Sequence, residues 1–316
     1  MLKFGSRRCA STFQKADAKL EQFYKYHATQ ASLRPWIYRP RNGNMLLTMD
    51  LKDPESDAPL KPRAPVKPLS RKTLNTYIWS AQEASQLLDL LHKWTSLTTR
   101  KVGIWHYFTA SHLQNILFAS TFKLGKLSSF LKHLYLWRPR FVEAHNGAIF
   151  DVEHFFNSVV TCQLHRNSSR NLCDAETAQN KLLTAWSQVN DKKNESGLTS
   201  HLVAALAKQQ GFSADLPLAG LTQAPLVLPT ADFEHLSNGK LAAFLSENKF
   251  KYIMARSLLE YGNSVPTALE FVENYKAILE KLKRPDIYHE YVANAKTLAT
   301  VPTPSTNAAP HPAAEQ

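Results

Sequence analysis

The sequence predicts an all-α protein, an irregular helical bundle or short solenoid of helical hairpins preceded by an extended basic N-terminal arm. Three observations carry this. From Ser80 onward, apolar residues recur at spacings of three and four in about ten successive segments. No segment alternates apolar and polar residues with the period of two that a half-buried strand needs. Glycine is scarce, 10 residues in 316, which disfavours Rossmann and P-loop architectures built on Gly-rich phosphate turns. No residue signature recurs at a period of about 34–40, so no readable helical repeat is present.

Taken in order, Phe13 to Ala28 reads as a short helix with Leu20, Phe23, Tyr24 and His27 on one face. Residues 33–43 mix aromatics, prolines and arginines and are expected to be extended. Between Asp53 and Pro68 stand Pro54, Pro59, Pro62, Pro65 and Pro68, the last four at every third residue, with Lys61, Arg63 and Lys67 among them and Arg71-Lys72 following. That is a polyproline-like cationic strap with no core of its own, either an inert linker or, as its charge favours, a strap laid on RNA. Ser80-Ala81-Gln82-Glu83 has the form of a capping box, opening a helix with Ala84, Leu87, Leu88, Leu91 and Trp94 on its apolar stripe. Thr109 caps a second helix through Leu113, Ile116, Leu117 and Ser120. A third covers Lys126 to Trp137 and ends before Pro139, because the residue before a proline avoids the α region. Asp151 opens a fourth, Asp174 a fifth, and Thr199 a sixth that Gly211 ends as a left-handed cap. Thr230, with Asp232 and Glu234 in the first turn, starts another towards Phe244, after a proline-broken apolar loop over 216–229. Phe250–Tyr261, Pro266–Leu282 and Ile287–Leu298 complete the helices. The domain plan is a targeting segment at 1–16, the arm at 17–79, a helical domain at 80–299 and a disordered Pro-rich tail at 300–316.

Composition limits function. The chain has 38 Lys+Arg against 26 Asp+Glu, a net charge of +12, and is 44% hydrophobic. Its longest apolar runs, such as that around Leu226-Val227-Leu228, fall well short of the roughly 18 residues of a membrane span. Cys9, Cys162 and Cys173 are too few for a disulfide scaffold or a conventional zinc site. There is no G-x-G-x-x-G, no P-loop, no H-E-x-x-H, no C-x-x-C and no G-x-S-x-G. Among twelve histidines, His106 and His112 share no helix face, and Glu153-His154 and His289 with Asp286 and Glu290 come nearest to an acid/base or ligand group. No spacing makes three or four ligands converge. No catalytic residue, metal, cofactor or small-molecule substrate is therefore assigned, and the protein is read as a non-enzyme.

The charge is uneven. Residues 1–80 hold 15 Lys+Arg and 6 Asp+Glu, and no acid occurs between Leu90 and Val142. Such asymmetry suggests an arm and a face that meet a polyanion. In the acid-free interval, Arg100, Lys101, Lys123, Lys126, Arg138 and Arg140 have no local acid to pair with. With Arg34, Arg39, Arg41, Lys61, Arg63, Lys67, Arg71 and Lys72 of the arm, they are the candidates for phosphate contact, the bland alternative being a solvated basic face. Trp36, Tyr38, Trp105 and Tyr107 are the candidates for stacking on unpaired bases, although most rings of an all-α domain are core.

Met1 to Ala16 carries Lys3, Arg7, Arg8 and Lys15 and no acid, with Leu2, Phe4 and Phe13 among Ser6, Ser11 and Thr12. That is the pattern of a mitochondrial presequence, with cleavage positions around Arg7-Arg8-Cys9 and Ala10-Ser11, and it predicts a matrix protein whose Cys162 and Cys173 are free thiols. The presequence-like start, the Trp36–Arg41 segment, the strap and the helical region from Ser80 together resemble the accessory proteins of the mitochondrial ribosome, in particular the fungal-type small-subunit proteins that have no bacterial counterpart. The resemblance implies a structural role in that particle, with rRNA and neighbouring ribosomal proteins as partners. Two rivals stand beside it, an RNA-processing factor or translational activator that binds mRNA, and a matrix enzyme of unrecognised type.

Overall fold

In the first helix, α1 (Thr12–Ala28), the Ser11 hydroxyl accepts the Gln14 N–H at 3.1 Å while the Gln14 side chain accepts the Ser11 N–H at 2.8 Å. This reciprocal cap satisfies two N–H groups that the helix itself cannot. Its apolar stripe, Ala16, Leu20, Phe23 and Tyr24, is buried. The computed structural model describes residues 11–52, 57–97, 104–145, 149–170, 174–221 and 224–300, so most of the targeting segment, Arg100, Lys101 and the tail lie outside the described residues.

The arm is more structured than the sequence suggests. The 17-residue α1 packs against α4 (Arg71–Ser80), with the Phe13 and Tyr77 rings 4.8 Å apart. Phe23 stacks at 5.6 Å on Trp94 of α5 (Ala84–Ser96). Both helices of the arm thus share the main core with the helices that follow. The expected extended stretch at 33–43 is instead α2 (Arg34–Ile37), a 3₁₀ turn (Pro40–Asn42) and the start of α3 (Gly43–Thr48). Pro35 and Pro40 sit in the first turns of these short helices, where a missing N–H costs nothing. Ile37, Tyr38, Leu46 and Leu60 form a small satellite core. From 57 to 70 the chain has no helix, as the prolines predict, but it is pinned. Leu60 donates its N–H to Leu51 at 2.7 Å and Arg63 to Ile37 at 2.7 Å, and Leu60 and Leu69 are buried in the satellite and main cores.

The body is centred on α6 (Ala110–Phe122), buried at every residue from His112 to Phe122, and on α8 (Asn157–Arg170) beside it. Around this pair pack α4, α10 (Leu198–Gln210), α12 (Lys249–Tyr261) and α14 (Ile287–Thr300). Further out lie α7 (Leu127–His145), α9 (Ala175–Ser187), α11 (Asn238–Glu247) and α13 (Pro266–Lys281). The fold is all-α. Among the described residues the only β pairings are the isolated bridges Lys52–Pro59 and Asp151–Asp191.

Several predicted caps are in place. Thr109 caps α6, Asp174 takes the Thr177 N–H at 2.6 Å, and Gly211 ends α10 at φ +73°. Asp151 accepts the N–H groups of His154 and Phe155, although the first turn it caps, Val152–Phe156, is π-helical before α8 begins. Four expectations are corrected. Ser80 ends α4, its hydroxyl donating to the Thr76 carbonyl at 2.5 Å, and the capping box of α5 lies three residues later between Glu83 and Gln86. α7 runs through Pro139 to His145. The proline removes one helical bond and costs about 3 kcal/mol, which is offset by burying Phe141 against Trp105 and Phe108 at 5.8 and 5.7 Å. α10 begins at Leu198 after Gly197, and the Thr199 hydroxyl donates to Asn194 rather than capping. No helix starts at Thr230. The Asp232 carboxylate takes the N–H groups of Glu234 and His235 in a local turn that competes with helix, and α11 begins only at Asn238.

Candidate nucleic-acid interface

The pinned strap displays cations because its apolar residues turn inward. Leu60 and Leu69 are buried, Arg63 and Val66 half-buried, and Lys61, Lys67, Arg71 and Lys72 exposed. No acid occurs from Ala58 to Gln82, and no ion pair holds any of these four exposed cations among the described residues. Arg71 and Lys72 occupy the first turn of α4, whose cap is the Ser70 hydroxyl accepting the Thr73 N–H at 3.2 Å. A helix N-terminus carries about half a positive charge. Two cations there, with no acid in the turn, make a locus that an external anion stabilises.

The other predicted phosphate contacts divide. Arg39, Arg41, Lys126 and Arg140 are exposed. Arg34 is engaged internally, donating to the carbonyls of Thr29 and His27 at 2.9 Å each and lying over the Tyr26 ring. Lys123 donates to the Trp79 carbonyl at 2.5 Å at the end of α4, and burial lowers its pKa. Arg138 donates to the carbonyl of Gln188 at 2.8 Å and to the Asn190 side chain, with its guanidinium over Phe150. These three are engaged within the fold, each tying two elements together with part of its donor set. Arg63 is half-buried, bonded through its main chain, and has partners within the fold.

The stacking candidates also divide. Trp105 is 3% exposed and Tyr38 7%. Both rings are core, so neither can receive a base while the cores stay closed. Tyr107 is half-buried, edge-on to Phe23 at 5.5 Å. Trp36 is exposed. Sequence reasoning missed Lys15, Lys19 and Lys25, which are exposed on α1. Lys25 stands out of phase with the buried stripe, whereas Lys19, four residues before Phe23, lies at its edge, so spacing singles out no one cationic face. It also missed long-range pairing, since Lys93 of the acid-free interval is ion-paired with Glu21 of α1.

The acid/base candidates hold the fold. The Glu153 carboxylate accepts the Ser196 N–H at 2.9 Å and its hydroxyl at 2.7 Å, tying the π-helical turn to the approach to α10. His154 pairs with Asp151 at 2.6 Å, a bond that raises its pKa. Asp286 accepts from Arg256 at 3.0 Å and from the Tyr252 hydroxyl at 2.9 Å, leaving His289 at 3.6 Å. Cys162 is buried and free, its thiol pushed up to about 12 by burial. Among the described residues no group of three or more His, Cys, Asp or Glu side chains could hold a metal, and no helix is long and apolar enough to cross a membrane.

Two family models match the chain. One, described as the MRP13-like N-terminal domain, covers residues 3–80, and the other, the MRP13-like C-terminal domain, covers residues 84–308. Their boundary falls in the short turn between α4 and α5.

Proposed function

The chain belongs to the MRP13-like family of mitochondrial ribosomal proteins, and we propose that it is a non-enzymatic component of the small subunit, held on rRNA in the matrix by its strap. The observation that carries the RNA contact is the acid-free run 58–82, in which Lys61 and Lys67 face solvent between the buried leucine pins Leu60 and Leu69, and Arg71 and Lys72 face solvent just beyond them in the first turn of α4. Cations on a pinned, proline-stiffened segment lose little conformational entropy on binding, so their attraction to phosphate is retained as affinity. Lys126 and Arg140 extend the same chemistry onto the helical body. Such contacts position a protein on RNA and read no sequence.

The test is sedimentation of the tagged full chain from mitochondrial lysate, with and without magnesium, beside a variant carrying Lys61→Glu, Lys67→Glu, Arg71→Glu and Lys72→Glu. Stoichiometric migration of the native protein with the small subunit after magnesium removal is expected. The variant should leave the particle at lower salt, and its log–log salt slope for RNA binding should fall by about three. Native protein at the top of the gradient would overturn the ribosomal reading in favour of an mRNA-binding factor. Unchanged retention of the variant would overturn the strap assignment alone.

A further inference from the structure

Seven large apolar side chains are exposed among the described residues, and four of them, Trp36, Met45, Leu47 and Met49, lie within residues 36–49. Single exposed apolar residues are ordinary, whereas a cluster marks a contact surface. Around α3, at about 100° per residue, Met45 and Met49 fall on one side of the buried Leu46 and Leu47 falls on the other. The apolar arc of the helix is therefore wider than the strip its own satellite core covers. That core has only four buried residues, few for a unit this size to hold its shape unaided. Two exposed cations, Arg39 and Arg41, accompany the patch, Asp50 is the single acid of residues 29–52, and Lys52 is paired with Asp57 at 3.5 Å.

Flexible methionines and a leucine suit an apolar protein surface better than stacked bases, which need planar rings. We propose that the α2–α3 module docks by Trp36, Met45, Leu47 and Met49 into an apolar groove rimmed by carboxylates on a neighbouring protein of the particle. Arg39 and Arg41 meet the carboxylates. This deepens, and rests on, the ribosomal reading above.

A benzophenone amino acid placed in the full chain at Met45 or Leu47, with Lys132 on α7 as control, tests it after irradiation of intact mitochondria and gradient fractionation. The expected result is an adduct to one other protein from both module positions, in the subunit peak and absent from the control. Arg39→Glu with Arg41→Glu should reduce that adduct several-fold. The triple variant Met45→Ser, Leu47→Ser and Met49→Ser should bring the protein off the particle at lower salt, with a thermal midpoint within a few degrees of native, as exposed substitutions allow. Particle-bound protein that crosslinks to RNA, to a second copy of itself or to nothing would overturn the docking site and leave the ribosomal reading intact. A protein adduct formed by chain that sediments at the top of the gradient would support docking and overturn the ribosomal reading. Neither adduct nor particle association would overturn both.

Discussion

His112 stands at the third position of α6, where a capping box ordinarily carries Glu or Gln. The Thr109 amide donates to its Nδ1 at 3.0 Å, so the ring proton sits on Nε2, which faces the Arg71 carbonyl at 3.4 Å. His165 is fixed in the same tautomer. The Ser257 hydroxyl gives its proton to the Ile253 carbonyl at 2.7 Å, so it accepts from His165 Nε2 at 2.7 Å, leaving Nδ1 toward the Tyr261 hydroxyl at 3.2 Å. Burial lowers both pKa values from 6.5 to about 4. Between those limits the unfolded chain binds protons that the folded chain does not. The contribution of these two residues is therefore full above pH 6.5, falls as the pH drops through the window, and is lost near pH 4. Two protons set a steepest slope of about 2.7 kcal/mol per pH unit. His154, whose pKa is raised first by its hydrogen bond to Asp151, acts above this window. Its stabilisation is complete below the unfolded value and declines as pH rises through the folded one. Urea melts at pH 7, 5.5 and 4.5 should show the acid loss, and His112→Gln, which keeps an acceptor for the Thr109 amide, should remove about half of it at little cost at pH 7. Equal stability at pH 7 and 4.5 would refute the assignment.

The two ends of α10 separate backbone strain from packing. Gly197 and Gly211 both have positive φ, +71° and +73°. A Cβ on Gly211 meets nothing within 4 Å, whereas one on Gly197 would come within 2.3 Å of the Pro225 carbonyl oxygen. The 224–229 segment runs there with the Val227 N–H on Ser196 at 2.9 Å. Gly211→Ala should then cost only the left-handed penalty, about 1–2 kcal/mol, and Gly197→Ala appreciably more, because backbone has to move as well. Chemical denaturation of the two variants checks this, and equal losses would mean that the 224–229 segment yields freely. Gly211 was legible because a glycine after an apolar stripe has one common meaning, and Thr109, Asp151 and Asp174 were legible because each precedes its stripe at capping distance. Ser80, Pro139 and Asp232 were misread for physical reasons. A serine at the end of one helix resembles the cap of the next, Phe141 packing outweighs a proline, and an aspartate turn outcompetes a helix start. The strap followed from its proline spacing, but its pins did not, since Leu60 and Leu69 acquire meaning only from cores built by distant residues. For the same reason the exposed strap cations were legible, while the engagement of Arg34, Lys123 and Arg138 with carbonyls elsewhere in the fold was not.

At the scale of the molecule, the two family models divide the chain at a turn, yet the core does not divide there. Trp79 of α4 stacks on Tyr291 of α14 at 4.9 Å, and the Lys249 ammonium lies over Trp79, Phe250 and Tyr291 at 4.8–5.2 Å. Burial lowers that ammonium to a pKa of about 8, a cost the three rings partly offset. Phe23 and Tyr24 close over Trp94, and the Glu21–Lys93 pair crosses the same seam. The basic N-terminal part is thus mounted on the near-neutral body as part of its core, which holds the strap at a fixed place on the surface. Each large side chain buried across the seam contributes roughly 1.5–3 kcal/mol. Leu74, Tyr77, Ile78, Phe23 and Leu20 together reach the order of the 5–15 kcal/mol that separates a folded domain from its unfolded chain. Residues 84–316 alone should therefore show no cooperative thermal transition, although they contain the whole C-terminal match. Adding residues 1–80 in trans should restore a single transition and protect α6 amides from hydrogen exchange. A cooperative melt of the C-terminal piece by itself would establish two independent units. The strap cations would then ride on a separable module, and charge reversal at Lys61, Lys67, Arg71 and Lys72 would weaken RNA binding of the N-terminal piece as much as that of the full chain.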